Sequence, residues 1–237
     1  MRKIPCENCA IRDAACIVDL PTDRLDAFRD CGATALYRSR QVVFHEGESA
    51  EGLYILCVGA VKLYQSDRFG REYILDVAAP GDVLGELPLD PSEPYSVSAE
   101  ALTDSQLCYL PRARLLEFIQ IHPMMGVRLV AALSKALASA RRKARDLALK
   151  GAEGRLAELL ARLVEAQGER VNGGAQVTLS YSRRELAEMI GVSPETAIRL
   201  LSGLRRRGVI VPEGRQIVVS DFDKLLRLAQ RGEIDSG

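Results

Sequence analysis

A chain of 237 residues with 47% hydrophobic side chains is long and apolar enough to bury a sizeable core, most simply as two domains. No apolar run approaches the roughly 18 residues of a membrane span. Met1-Arg2-Lys3 leads into polar residues and cysteines rather than a signal-peptide core, so the expectation is a cytoplasmic protein with no membrane partner. Its 32 basic and 32 acidic residues cancel only on average. Residues 1–134 hold 13 Lys and Arg against 19 Asp and Glu, whereas residues 135–215 hold 16 against 9. The basic second half is the electrostatic footprint of a surface that meets phosphates.

In chain order, residues 1–20 form a cysteine-rich segment with Cys6-x2-Cys9-x6-Cys16. Three thiols within eleven residues have no core to join, and in a cytosolic protein they are not a disulfide framework. Their softness suits an iron-sulfur cluster or zinc, each needing a fourth ligand; a thiol-disulfide switch is a further reading. A thioredoxin-like role for Cys6-Glu-Asn-Cys9 lacks the surrounding βαβ pattern.

Residues 21–122 read as a β-roll. A short helix over Arg24 to Asp30 precedes Cys31, which, like Cys57, falls outside the ligand pattern and reads as core. Strands are expected at Val42 to Phe44, over Leu53 to Tyr64 with Leu53, Ile55, Cys57, Gly59, Val61 and Leu63 on one face, and at Tyr73 to Val77. Further strands are expected at Val83-Leu84, Val97 to Ala101 and Gln106 to Leu110. Turn signals such as Glu46-Gly47-Glu48 and Pro80-Gly81-Asp82 separate them, the pattern of a jelly-roll. His45 and His122, the two imidazoles available to a haem, stand beside a turn and at a helix start, where solvated or capping roles are the ordinary ones.

From Pro123 the period becomes helical, and residues 123–150 read as one long dimerisation helix. Val130, Leu133, Leu137, Ala140, Ala144 and Leu147 are spaced 3-4-3-4-3, the seam of a two-stranded coiled coil, so a homodimer is expected. Gly151 and Gly154 mark a hinge into a C-terminal domain over residues 151–237, whose pattern is that of a DNA-binding domain.

That domain carries the most specific local pattern. Ser182-x-x-Glu185 is a capping box opening a helix whose inner face is Leu186, Ala187 and Ile190. Gly191 supplies a left-handed helix end, Ser193 caps a second helix and Pro194 fills its first position. Ala197, Leu200, Leu201 and Leu204 face inward, leaving Glu195, Ile198, Arg199 and Ser202 outward. Val209-Ile210-Val211, a turn at Pro212 to Arg215, and Gln216 to Val219 then form a two-stranded wing. This is a winged helix-turn-helix, giving an α+β protein overall. Its DNA-contact candidates are Arg183, Arg184, Ser193, Glu195, Thr196, Arg199 and Ser202. Arg199 suits a bidentate pair to guanine and Glu195 a cytosine amino group, while Pro194 and Ile198 offer only apolar contact, so a palindrome with TTGAT-like half-sites is expected. Nucleophile triads, phosphate loops and paired-carboxylate sites do not emerge, and an enzyme is not expected.

Gly81-Asp82-Val83-Leu84-Gly85-Glu86-Leu87, the dimer helix and Ser193-Pro194-Glu195-Thr196-Ala197-Ile198-Arg199 together resemble, from end to end, the cyclic-AMP receptor protein and FNR superfamily of bacterial transcription factors. The resemblance implies that Gly85, Glu86 and Leu87 form the edge where relatives bind a ribose. Those relatives follow it with an Arg-Ser pair, and aligning on Ser96 puts Tyr95 in the arginine's place, so cyclic AMP is not expected. FNR-type sensors carry three N-terminal cysteines and a fourth in a roll strand ending on proline. Leu107-Cys108-Tyr109-Leu110-Pro111 is similar to that strand. The resemblance therefore implies Cys6, Cys9, Cys16 and Cys108 as ligands of a 4Fe-4S cluster sensitive to oxygen or nitric oxide. This chain departs by one residue, since the family's second gap is typically five and here it is six. RNA polymerase is implied as a partner if the protein activates transcription.

Overall fold

The computed structural model describes residues 32–86, 90, 92–167, 169–171, 174–176, 181–213 and 216–231. Cys6, Cys9, Cys16, Cys31 and the expected helix over Arg24 to Asp30 lie outside the described residues. The chain divides between Leu137 and Ala138 into two compact units.

In the first unit, antiparallel strands make two four-stranded sheets. One has the order β1 (Ala33–Tyr37), β8 (Ser105–Pro111), β3 (Gly52–Val58), β6 (Val83–Leu84); the other has β2 (Val42–Phe44), β7 (Ser98–Ala101), β4 (Val61–Ser66), β5 (Glu72–Ala78). Alternation along each strand gives the first sheet two apolar faces. Leu56, Leu84 and Leu107 point inward to meet Phe44, Val61, Ala78 and Ala99 of the second sheet. Leu53, Ile55, Cys57, Cys108 and Leu110 point the other way, against Leu115 and Phe118 of α1 (Arg112–Ile121) and Met125 and Leu129 of α2 (Pro123–Leu149).

The roll is thus as expected, but the single strand over Leu53 to Tyr64 is not. It is two strands in different sheets, broken at Gly59, whose φ of 98° turns the chain. A Cβ there would lie 2.2 Å from Ser105 Oγ, so the corner needs glycine. The apolar spacing at odd-numbered positions runs through the corner, although Leu53, Ile55 and Cys57 pack against the helices and Val61 packs between the sheets. Strand β1 and helix α1 were not legible, α1 because it starts directly after Pro111 without a side-chain cap and buries only Leu115 and Phe118.

Lys62, in the middle of the second sheet, is almost wholly buried. Its ammonium pairs with Glu72 at 2.6 Å and Glu100 at 3.3 Å and sits over the Tyr64 ring. Burial acts to lower its pKa, and the two carboxylates more than reverse this, keeping it protonated.

In the second unit, α3 (Ala152–Gln167) buries Leu156, Ala157, Leu160, Leu163 and Val164 and packs against α6 (Phe222–Arg231), which buries Leu225 and Ala229. Gly154 lies buried inside α3, so the expected hinge glycine is helical and the break falls at Lys150-Gly151. Between α3 and α6 come a hairpin of β9 (Glu169–Val171) and β10 (Gly174–Gln176), then α4 (Arg183–Ile190), α5 (Pro194–Arg206) and the paired strands β11 (Ile210–Glu213) and β12 (Gln216–Val219). Pro212 and Glu213 continue β11, opposite Ile217 and Gln216, rather than turning as expected. Among the described residues no single helix is long and apolar enough to cross a membrane.

Candidate nucleic-acid interface and sensor site

Helices α4 and α5 form as their capping residues require. The Ser182 amide donates to Glu185 Oε2 at 2.6 Å, and the Glu185 amide donates to Ser182 Oγ at 3.1 Å, closing the capping box. Gly191 is left-handed (φ 65°, ψ 48°), and the Val192 amide reaches back to the Ala187 carbonyl at 3.1 Å. Ser193 Oγ accepts the Thr196 amide at 3.3 Å and donates to Thr196 Oγ1 at 3.2 Å. Of the inward set, Ala197, Leu201 and Leu204 are buried and Leu200 half-buried; Ile190 and Val209 complete this core.

The outward face is as the periodicity predicted: Glu195, Ile198, Arg199 and Ser202 are exposed, and Thr196 is partly covered. Its charges are unequal in availability. Arg199 has no ion pair with Glu195 or with any other described residue, so its guanidinium is open to a ligand. The carboxyl of Glu195 is held below its ordinary pKa by its own backbone N–H and the Ser193 hydroxyl at the helix N-terminus, so it stays ionised. Ser202 donates its hydroxyl to the Ile198 carbonyl at 2.8 Å, which leaves it chiefly an acceptor. Arg183 and Arg184 are both exposed, but Arg184 pairs with Glu188 at 2.7 Å. Arg205 and Arg206, exposed in the last turn of α5, extend the basic surface.

Along α2, Val130, Leu133, Leu137 and Leu147 are 64%, 61%, 51% and 57% exposed, and Ala140 and Ala144 are exposed too. Met124 and Val127 lengthen this uncovered apolar stripe toward the helix start.

In the roll, Gly85 has φ 86°, and a Cβ there would lie 2.9 Å from the Tyr95 ring. Tyr95 is buried, stacked on Phe44 with centroids 4.1 Å apart, and donates its hydroxyl to the Gly52 carbonyl at 2.7 Å. Burial, with Tyr109 and Glu86 nearby, pushes its pKa up to about 12. Glu86 Oε1 accepts the Ser96 hydroxyl, and its Oε2 is buried with no hydrogen-bond partner among the described residues.

Cys108 stands in the centre of the first sheet, between Thr34 of β1 and Ile55 of β3, its side chain buried beside Cys57 under α1 and α2. Its sulfur lies 3.2 Å from where a Cβ of Gly32 would be, so the chain from the cysteine-rich segment enters the described structure against this thiol. Among the described residues no three His, Cys, Asp or Glu side chains converge as metal ligands. His45 is exposed, and His122 packs on Phe118 at the end of α1 with centroids 4.5 Å apart.

Residues 35–122 match the cyclic nucleotide-binding domain family, and residues 154–228 match the Crp-like helix-turn-helix domain family. The CRP-like cAMP-activated global transcriptional regulator of Mycobacterium tuberculosis is 31% identical over 79% of this chain and 84% of its own. The cAMP-activated global transcriptional regulator CRP of Escherichia coli is 30% identical over 77% and 87%. Among solved structures, FixK2 from Bradyrhizobium japonicum has a TM-score of 0.73 at 30% identity, covering 83% of this chain and 96% of that one. The c-di-GMP responsive global regulator CLP of Xanthomonas campestris has a TM-score of 0.73 at 27% identity, covering 84% and 99%.

Proposed function

This chain belongs to the CRP/FNR family of DNA-binding transcription regulators, not to an enzyme family, and we propose that it works as a homodimer that senses oxygen or redox state through an iron-sulfur cluster. Cys6, Cys9, Cys16 and Cys108 would hold the cluster. The observation that carries this reading is the position of Cys108: a buried thiol on a rigid central strand, at the point where the segment bearing the other three cysteines joins the roll. Cys16 precedes Gly32 by 16 residues, a tether whose full extension of about 55 Å permits the N-terminal thiols to meet Cys108. Bound there, the cluster would supply iron that oxidants attack.

The protein's own residues explain how such a site reaches α2. Leu115, Phe118, Met125 and Leu129 share one packed cluster with Cys108, and close-packed side chains transmit displacement rather than absorb it. The exposed side of the same stretch of helix bears Val127, Val130 and Leu133, the start of the proposed dimer seam. Two heads joined along that seam would place two copies of Arg199 and Glu195 on a palindrome of TTGAT-like half-sites, with RNA polymerase as partner if the bound protein activates.

The relatives named for cAMP activation make cyclic nucleotide the obvious rival. Tyr95 argues against it here: aligned on Ser96, it stands where the resemblance puts the phosphate-binding arginine, its ring is stacked on Phe44 and its hydroxyl is committed to a carbonyl, and a tyrosine supplies no guanidinium to an anion. A second reading, a regulator gated by a small organic ligand, is favoured by the buried Oε2 of Glu86, which has no hydrogen-bond partner among the described residues. Anaerobic purification followed by iron and sulfide analysis and a visible spectrum decides between them. Brown protein that loses most of its iron in Cys108→Ser, but not in Cys57→Ser, supports the cluster. Colourless, iron-free protein, or full iron occupancy in Cys108→Ser, refutes this ligand set.

A further inference from the structure

The link between α2 and α3 is two residues long, Lys150 and Gly151, and covalent geometry alone does not fix the direction in which α3 and the helix-turn-helix leave the dimer helix. Side chains do. Arg155, in the first turn of α3, donates from Nη1 to the Lys150 carbonyl and from Nε to the Ile190 carbonyl, both at 3.0 Å. Ile190 ends α4, where carbonyls lose their helical partners and a cation is favourable. Glu153, in the same turn, receives both terminal nitrogens of Arg207, the residue that caps the recognition helix α5. Arg207 is itself held, donating from Nε to the Gly203 carbonyl at 3.3 Å while its own carbonyl accepts Lys224 Nζ at 2.7 Å. Behind this turn the buried Lys150 ammonium lies 3.5 Å from Asp146 of α2 and 3.2 Å from Glu158 of α3.

We infer that the first turn of α3 is a two-armed clamp, in which Arg155 and Glu153 are positioning residues that fix the recognition helix relative to the end of α2. Arg155 grips the end of the first helix of the motif and Glu153 the end of the second, so both helices are referred to one turn. Neither residue lies on the exposed face of α5 that carries Arg199. Charge-assisted bonds of this kind are directional, and half-buried carbonyls and carboxylates stripped of their donors are costly, so the clamp has one preferred geometry. In a dimer that geometry sets the distance between the two recognition helices. The inference rests on the reading of the protein as a dimer on a palindrome.

The test uses the full-length protein and palindromic duplexes with TTGAT half-sites and spacers of about two to eight base pairs, bracketing the roughly one-turn separation of paired heads. Affinity is followed by fluorescence anisotropy beside a thermal melt. The native protein is expected to prefer one spacer over its neighbours by about tenfold or more. Arg155→Gln and Glu153→Gln should flatten that profile to within about threefold while leaving affinity for an unrelated duplex unchanged. Arg155→Lys should flatten it too, because an ammonium lacks the rigid fork that reaches two carbonyls at once. A merely structural role would lower the melting temperature and all affinities without changing the spacer profile. An unchanged profile in any folded variant of the three overturns the clamp, and Arg155→Lys and Glu153→Gln keep it open to refutation if Arg155→Gln does not fold. A native protein with no spacer preference overturns the paired-head reading, and the inference with it.

Discussion

Replacing Arg199 with alanine isolates base recognition from folding. The side chain is exposed on α5 with no ion pair among the described residues, so its removal should change stability by no more than about 0.5 kcal/mol. Its bidentate pair to guanine is worth roughly 1 to 3 kcal/mol of discrimination per half-site. Two heads on one operator double this to roughly 2 to 6 kcal/mol, or about 30-fold to 10⁴-fold in the ratio of cognate to core-substituted DNA. The assay is a titration of the native protein and Arg199→Ala against a TTGAT palindrome and against the same duplex with the core G·C pairs replaced, at one fixed salt concentration. The native protein should separate the two duplexes and the variant should not, with equal melting temperatures. Arg183→Ala provides the contrast: without this exposed cation, binding to both duplexes should weaken alike, and the salt slope should fall by about 1 for each phosphate no longer neutralised. Arg184→Ala should do less, because Glu188 already neutralises it. If Arg199→Ala keeps the full ratio, or selection from random duplexes returns a core without G·C, α5 does not read DNA through this residue.

Gly85→Ala forces a left-handed φ on an L-residue and places its Cβ 2.9 Å from the Tyr95 ring, so the roll should lose about 1 to 3 kcal/mol in urea unfolding. No loss would show that the Tyr95 packing is slack. On the proposed cluster reading, air-oxidised protein should remain dimeric at micromolar concentration, because the α2 seam has no charged position to penalise association. Leu133→Glu should dissociate it, and sedimentation velocity reads both; a monomeric oxidised native protein would refute the first expectation. Tyr95 has a folded pKa near 12 against an unfolded value near 10. The unfolded chain therefore gives up this proton first, and stability held below pH 10 should fall between about pH 10 and 12. Tyr95→Phe should remove that component of the alkaline loss while costing about 1 kcal/mol at neutral pH for the bond to Gly52. Urea midpoints from pH 8 to 12 test it.

The helix-turn-helix was legible because its determinants are local. Ser182, Glu185, Gly191, Ser193 and Pro194 each satisfy or end a helix within four residues of themselves, so the order of types carries the geometry. The corner at Gly59 was hidden because the apolar residues keep their odd-numbered spacing through it while packing in two different clusters. The partners of Arg155 and Glu153 were hidden for a different reason: Ile190 and Arg207 lie 35 and 54 residues away, a juxtaposition made by packing. Gly154, next to Glu153, reads as a hinge where the fold has a helical turn, and only Gly151 lies at the break. Cys108 was singled out by its similarity to a roll strand; its neighbour Gly32, which brings the N-terminal chain to it, carried no signal.

The buried Lys62 also constrains what the roll cannot become. It lies on β4 opposite Glu100 of β7 and Val77 of β5, facing away from Val61 and Leu63. Sliding β4 by one residue against its neighbours would exchange the two faces and drive the ammonium into the space now filled by Leu56, Leu84 and Leu107, far from either carboxylate. An unpaired charge there is far more costly than any apolar mismatch. Lys62 is therefore a register pin: in a sheet whose small residues, Ala78, Ala99 and Ala101, would not by themselves resist a one-residue slip, it makes that slip costly.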